Sequence, residues 1–122
     1  MHVNLVFVTK YRRKVITERI LYALHSLFAS AYADFQAQLV EFNGEEDHVH
    51  LLVTYPPKVS VSNLVNNLKG ASSRLIRKTY PSVRTKLWGS ALWSPSYFAG
   101  SCGGAPLTII RRYIEQQQTP HE

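Results

Sequence analysis

The chain has 122 residues, a length that suits one domain with a buried core. Hydrophobic residues make up 45% and charged residues 18%, which is typical of a folded protein, and no apolar run approaches the roughly 20 residues of a membrane-spanning helix. The first ten residues lack the layout of a signal peptide, and a single cysteine, Cys102, excludes an internal disulfide. We therefore expect one cytoplasmic domain spanning 1–122.

The net charge of +6 is unevenly distributed. Between His48 and Ile114 there is no Asp or Glu, whereas nine basic residues occur there: Lys58, Lys69, Arg74, Arg77, Lys78, Arg84, Lys86, Arg111 and Arg112. Aromatic residues are interleaved with them, namely Tyr80, Trp88, Trp93, Tyr97 and Phe98. Phosphates can bind the charges and unstacked bases can stack on the rings, so the pattern favours a nucleic-acid partner over a merely solvated basic face.

Four strands and two helices are predicted before the C-terminal helix. Alternating apolar residues indicate a strand from His2 to Lys10, and Thr17 is a suitable N-cap for a first helix. Alternation resumes from Gln36 to Phe42, and Asn43-Gly44 predicts a turn into a third strand.

A second helix, capped by Ser60 or Ser62, is expected to end at Pro81, and a fourth strand spans Trp93 to Ser101. Because Pro95 interrupts that strand, it belongs at a sheet edge. The order βαββαβ predicts an α+β, ferredoxin-like antiparallel sheet over about 2–101, with the third strand central. An additional C-terminal helix is expected over about 105–118.

The third strand, Asp47 to Val53, carries two histidines. Since side chains alternate along a strand, His48 and His50 project to one face while the apolar residues between and after them project to the other. Two adjacent imidazoles can form half of a metal site, but on spacing alone such a pair is more often two partly buried, hydrogen-bonded histidines.

The last helix carries a second polar pair. Pro106, Ile110, Tyr113 and Gln117 follow at spacings of four, three and four, so Tyr113 and Gln117 share a face one turn apart. On this element alone, an amphipathic helix with an aromatic anchor and a solvated end is the favoured interpretation.

Several ordered blocks together resemble a known family: Val8 to Lys14, Asp47 to Val53, Leu68-Lys69-Gly70 with Ser73-Arg74, Leu92 to Phe98, Gly103-Gly104-Ala105, and Tyr113 to Gln117. They are similar to the single-tyrosine HUH transposases of small bacterial and archaeal insertion sequences, the TnpA type. The resemblance covers almost the entire chain and makes the metal interpretation of the histidines the favoured one.

The resemblance implies a DNA transposase that cleaves and rejoins single-stranded DNA and recognises hairpins. It implies Tyr113 as the nucleophile that forms a 5′-phosphotyrosine, and His48, His50 and Gln117 as ligands of Mg²⁺ or Mn²⁺. A homodimer is implied too, in which an active site can take its tyrosine from the partner's helix. The basic residues expected to contact DNA are Lys10, Arg12, Arg13, Lys69, Arg74, Arg77, Arg111 and Arg112.

Other functions stay open at this point. A domesticated relative that acts on repeated palindromes shares the same motifs. A non-catalytic nucleic-acid-binding regulator needs the basic surface but neither His48 nor Tyr113, and a metal-dependent hydrolytic domain uses the histidines without a covalent step. The sequence names neither the target DNA nor the base that deprotonates the tyrosine, whose ordinary pKa is about 10.

Overall fold

A computed structural model describes residues 1–83, 91–101 and 107–116. The described strands and helices are β1 (His2–Val8), α1 (Glu18–Asp34), β2 (Gln38–Gly44), β3 (His48–Thr54), α2 (Val61–Thr79), β4 (Phe98–Ser101) and α3 (Leu107–Glu115), with a short 3-10 helix at Lys10–Arg12. Their order is the predicted βαββαβ followed by a helix.

The four strands form one antiparallel sheet in the order β2-β3-β1-β4. The third strand therefore lies between two neighbours, and the fourth lies at an edge. The predicted α+β architecture and the predicted positions of these two strands are confirmed.

Side-chain caps fix where the two long helices begin. The Thr17 hydroxyl accepts a hydrogen bond from Ile20 N at 3.2 Å, and the Ser60 hydroxyl accepts one from Asn63 N at 3.4 Å. Each cap satisfies a backbone donor that the first helical turn leaves without an intrahelical acceptor. Of the two serines proposed as the α2 cap, Ser60 is the one that performs this role.

One face of the sheet packs against α1 and α2. Cross-strand partners in an antiparallel pair point to the same side, and the register pairs Leu5 with Leu51 and Phe7 with Val49. These four side chains are fully buried in the main core. The core is completed by residues of both helices, including Leu24, Phe28, Tyr32, Leu64, Leu68 and Ile76.

The opposite face packs against α3. There the register pairs Val6 with His50 and Val8 with His48. Ile114 of α3 is buried on Val6 and Val8, and the second cluster that they form also includes Phe98 and Tyr113 at its margin. The final helix therefore covers the sheet face to which the histidines project.

The turn expected at Asn43-Gly44 is wrong by a few residues. Both residues lie within β2, where Asn43 pairs with His50 and Gly44 with Val49, and the chain reverses over 45–47. A Cβ on Gly44 would lie 2.6 Å from Leu21 Cδ1 and 3.0 Å from the His48 carbonyl oxygen. This glycine therefore permits the close approach of α1 to the hairpin. From the sequence alone, a glycine needed for close packing looks the same as a glycine needed for a turn.

The fourth strand is shorter than the predicted span from Trp93 to Ser101. It begins at Phe98, and Trp93 forms only an isolated bridge with Thr9. Pro95 lies between them and has no N–H to donate, so the segment before Phe98 leaves the ladder.

Parts of the sequence predictions lie outside the described residues. These include Cys102, the Gly103-Gly104-Ala105 block, Pro106, Gln117 and both ends of the predicted helix at 105–118. Among the helices that the structure does describe, none has the length and apolar character needed to cross a membrane.

Candidate active site

Strand β3 presents His48 and His50 side by side toward α3. Both side chains are half-buried, whereas Val49 and Leu51, which alternate with them, are fully buried on the other face. The prediction that the two histidines share a face is therefore confirmed.

His48 is oriented by the residue that precedes it. Its Nδ1–H donates to Asp47 Oδ1 at 2.9 Å, and the other Asp47 oxygen accepts from Arg12 Nε at 3.4 Å. A carboxylate on one ring nitrogen fixes the orientation of an imidazole and increases its basicity as a metal ligand. The nitrogen of His48 that can bind a ligand is then Nε2.

His50 is held from the neighbouring strand. Its Nε2 donates to Asn4 Oδ1 on β1 at 3.1 Å. Burial lowers the pKa of His50, and His48 lowers it further, although the Glu41 carboxylate acts in the opposite direction. The neutral imidazole that burial favours is the form that coordinates metal ions.

The two histidines open into a cleft of about 460 Å³ between the β2–β3 hairpin and α3. Asp47 and Glu45 contribute carboxylates to its wall, and Arg12 and Arg111 contribute guanidinium groups. Ile114 and Glu115 of α3 complete the side that faces the strands. The cleft thus contains imidazoles, carboxylates and guanidinium groups, and the guanidinium groups can bind a phosphate.

The structure brings His48 together with two acidic residues that the sequence interpretation did not select. Ligand atoms of Glu45, Asp47 and His48 all lie within 4.8 Å of one another. The sequence feature that could have indicated these two acidic residues is the run Glu45-Glu46-Asp47 just before His48. Carboxylate oxygens suit Mg²⁺ and Mn²⁺, and imidazole nitrogens suit transition-metal ions, so the donor types in the cleft fit a divalent cation.

Tyr113 extends from α3 toward β4. Its hydroxyl lies 3.0 Å from Ser96 Oγ, and its ring packs on Phe98 with centroids 5.7 Å apart. Burial raises the pKa of Tyr113, and the hydrogen bond with Ser96 opposes this rise. The Tyr113 hydroxyl is therefore placed near the sheet edge.

Tyr113 and the histidine pair occupy different parts of the face that α3 covers. Strand β1, with Val6 and Val8 under Ile114, lies between β3 and β4. The α3 residues that line the histidine cleft are Arg111, Ile114 and Glu115. The predicted nucleophile is thus directed away from His48 and His50 of the same chain.

The predicted DNA-contacting residues fall into four groups. Arg12 and Arg111 line the cleft, while Arg74 and Arg112 are exposed and Arg77 is partly exposed. Lys10 and Arg13 lie 5.6 Å from the Tyr11 ring centroid. Lys69 differs from the others, because its ammonium donates to the carbonyl oxygens of Ser94 and Ser96 at 2.7 and 2.8 Å.

Comparison with known families identifies the class of this protein as a transposase. Residues 1–117 match the family described as Transposase IS200 like, and the chain belongs to that family. Membership implies an enzyme that cleaves DNA.

Curated relatives agree with this assignment. The ISDra2 transposase TnpA of Deinococcus radiodurans is 32% identical over 114 residues, which cover 93% of this chain and 81% of that protein. The transposase for insertion sequence element IS200 of Salmonella typhimurium is 28% identical over 114 residues, covering 93% of this chain and 74% of that protein.

Solved structures share the fold. A crystal structure of a transposase candidate from Deinococcus radiodurans R1 superposes with a TM-score of 0.91 at 29% identity, covering 98% of this chain and 92% of that one. A REP-associated tyrosine transposase bound to a REP hairpin gives a TM-score of 0.61 at 11% identity, covering 93% of this chain and 62% of that one. At that identity the second similarity shows a common fold.

Proposed function

We propose that this transposase cleaves and rejoins single-stranded DNA at insertion-sequence ends through a 5′-phosphotyrosine intermediate. The observation that carries the proposal is the pair His48 and His50, side by side in a cleft that is bounded by the helix bearing Tyr113. A cleft with imidazoles, carboxylates and two arginines suits a phosphodiester substrate.

Tyr113 supplies the nucleophile in this proposal. Its phenol oxygen attacks the scissile phosphorus, the new O–P bond forms, and the bond from phosphorus to the 3′ oxygen breaks. The phenol proton passes to a base, and the departing 3′ oxygen takes up a proton to become a free 3′-hydroxyl. Because the phosphotyrosine conserves the energy of the broken bond, rejoining needs no ATP.

His48, His50 and Gln117 would hold Mg²⁺ or Mn²⁺, and Asp47 keeps His48 oriented for this task. When bound, such an ion neutralises negative charge that grows on the scissile phosphate. Arg12 and Arg111 lie in the wall of the same cleft, where they can bind the flanking phosphates.

We infer that the protein acts as a homodimer in which Tyr113 serves the partner's histidine cleft. The hydroxyl points toward β4, which is an edge strand paired with β1. An edge strand can accept a strand from a second copy, so a partner's cleft can approach this side of the sheet. Because Tyr113 points to the β4 edge of its own sheet and away from its own histidines, it is better placed to reach the histidines of a partner subunit.

The proposed substrate is single-stranded DNA that carries a hairpin, handled in the cytoplasm. Basic and aromatic residues alternate through the second half of the chain, as in proteins that stack unpaired bases. The REP-associated neighbour with the same fold is bound to a hairpin. Equal affinity of this protein for a hairpin and for a blunt duplex of the same length would contradict the substrate proposed here.

The test is a covalent-adduct assay with a 3′-labelled single strand from an insertion-sequence end. After a denaturing gel and mass spectrometry, the label should be found on a peptide that contains Tyr113. Tyr113→Phe should bind the DNA and form no adduct, because it removes one oxygen and little packing. Tyr22→Phe is the matched control, since Tyr22 is exposed on α1 and should form the adduct at the normal rate.

The assay also separates the nearest alternative. A free 5′-phosphate that appears with no covalent stage would show a metal-dependent nuclease instead of a transposase that acts through tyrosine.

A further inference from the structure

The segment from Trp93 to Tyr97, which we call the tyrosine seat, lies outside the sheet ladder yet is held at several points. Trp93 packs on Phe7 in the main core, and its Nε1–H donates to Ser72 Oγ at 2.8 Å. Ser94 N donates to the Val8 carbonyl oxygen at 2.8 Å. The tyrosine seat therefore begins in the core that faces α1 and α2.

The other end of the tyrosine seat contacts α3. The Ser96 hydroxyl lies 3.0 Å from the Tyr113 hydroxyl, and Phe98, just after the seat, packs on the Tyr113 ring. A single short segment thus connects the α2 layer to the tyrosine on the opposite face of the sheet. A change on α2 can be transmitted to Tyr113 by this route.

Lys69 of α2 holds the middle of the seat. Its ammonium donates to the carbonyl oxygens of Ser94 and Ser96, which flank Pro95, and it lies 5.6 Å from the Tyr97 ring centroid. Since the segment is outside the ladder, these carbonyls receive from Lys69 the hydrogen bonds that a neighbouring strand would supply. Half-burial at this position lowers the pKa of Lys69 to about 8.

These contacts differ from those of a lysine that binds phosphate. A phosphate-binding ammonium is exposed and turned to solvent, whereas two of the three N–H donors of Lys69 are already used inside the protein. Lys69 was predicted from the sequence to contact DNA. In the structure its ammonium is instead hydrogen-bonded to backbone carbonyls of the tyrosine seat.

We propose that Lys69 and Ser96 are positioning residues for Tyr113, Lys69 by fixing the tyrosine seat and Ser96 by fixing the phenol hydroxyl. The inference rests on the proposed function, because it concerns the same nucleophile. A hydroxyl restricted to one position reaches the in-line geometry for attack more often than a freely rotating one. A Ser96 hydroxyl that donates to the phenol oxygen also stabilises the negative charge of the phenolate.

The first variant is Lys69→Met, which keeps the length and apolar stem of the side chain and removes both hydrogen bonds. At saturating hairpin DNA, the single-turnover rate of adduct formation should fall about tenfold. The Kd for the hairpin and its dependence on salt should stay the same, because no phosphate contact is lost. Lys78→Met is the control, since it removes the same charge from an exposed position on α2 and should leave the saturated rate unchanged.

The second variant is Ser96→Ala, which removes only the hydroxyl and tests the inference even if Lys69→Met folds poorly. It should also slow adduct formation at saturation, and Ser96→Thr should restore the rate because it retains a hydroxyl. Ser26→Ala is the matched control, since it removes the same hydroxyl from an exposed position on α1 and should form the adduct at the normal rate. The double variant Lys69→Met with Ser96→Ala should be no slower than the slower single variant, because both act through one segment.

Two results would overturn the inference. In the first, Lys69→Met weakens hairpin binding and makes it less dependent on salt, while the saturated rate is retained; Lys69 is then a phosphate contact. In the second, both Lys69→Met and Ser96→Ala form the adduct at the normal rate. If Tyr113→Phe abolishes the adduct in the same series, the proposed function survives this failure; if Tyr113→Phe still forms the adduct, the proposed function itself fails.

Discussion

The two faces of strand β3 differ in what holds their side chains. Val49 and Leu51 are fully buried among α1 and α2, and packing alone fixes them. His48 and His50 are half-buried under α3, and hydrogen bonds to Asp47 and Asn4 fix them. One strand thus serves stability on one face and chemistry on the other, so substitutions on the two faces should have separable effects.

The largest effect is expected on the histidine face. His48→Ala or His50→Ala should reduce cleavage of a labelled hairpin strand in Mg²⁺ below detection, because each removes a proposed metal ligand. Hairpin binding in a gel-shift assay and the thermal midpoint should change little, since neither side chain belongs to the main core. Full cleavage by either variant, or by the unmodified protein in excess chelator, would contradict the metal site.

Leu51→Ala, on the core face of the same strand, should give the reverse pattern. Loss of a fully buried leucine leaves a cavity, and the free energy of unfolding should fall by about 2–5 kcal/mol in chemical denaturation. Under conditions where the variant stays folded, adduct formation should be retained. If cleavage is lost while stability is unchanged, the two faces do not divide the roles in this way.

A small effect of opposite sign is expected at Tyr32, deep in the core between α1 and the sheet. Among the described residues its buried hydroxyl has no hydrogen-bond partner, and burial raises its pKa. Tyr32→Phe removes this unsatisfied group and should stabilise the fold by about 1 kcal/mol without affecting cleavage. Destabilisation in a denaturation experiment would show that the hydroxyl has a partner.

Features that depend on local periodicity could be predicted from the sequence. The element order, the Thr17 cap and the shared face of His48 and His50 follow from neighbours within a few residues. The function of Gly44 could not be predicted, because it depends on Leu21 in another element, and neither could the shortened fourth strand.

The direction in which the Tyr113 side chain points could not be predicted from neighbouring residues in the sequence either. It depends on Ser96 and Phe98, which are distant in the sequence, and the support from Lys69 depends on a segment without regular structure. The role of Gln117 as a metal ligand stays a prediction, as it lies outside the described residues.

In the proposed homodimer, one active site combines the histidines of one subunit with Tyr113 of the other. The direct measurement is adduct formation after His48→Ala and Tyr113→Phe subunits, each inactive alone, are mixed and allowed to exchange. In a mixed dimer, the tyrosine of the first subunit can meet the histidines of the second, and random exchange should restore about a quarter of the unmodified activity. If the mixture stays inactive although mixed dimers are shown to form, tyrosine and histidines must come from the same subunit, and the claim is contradicted.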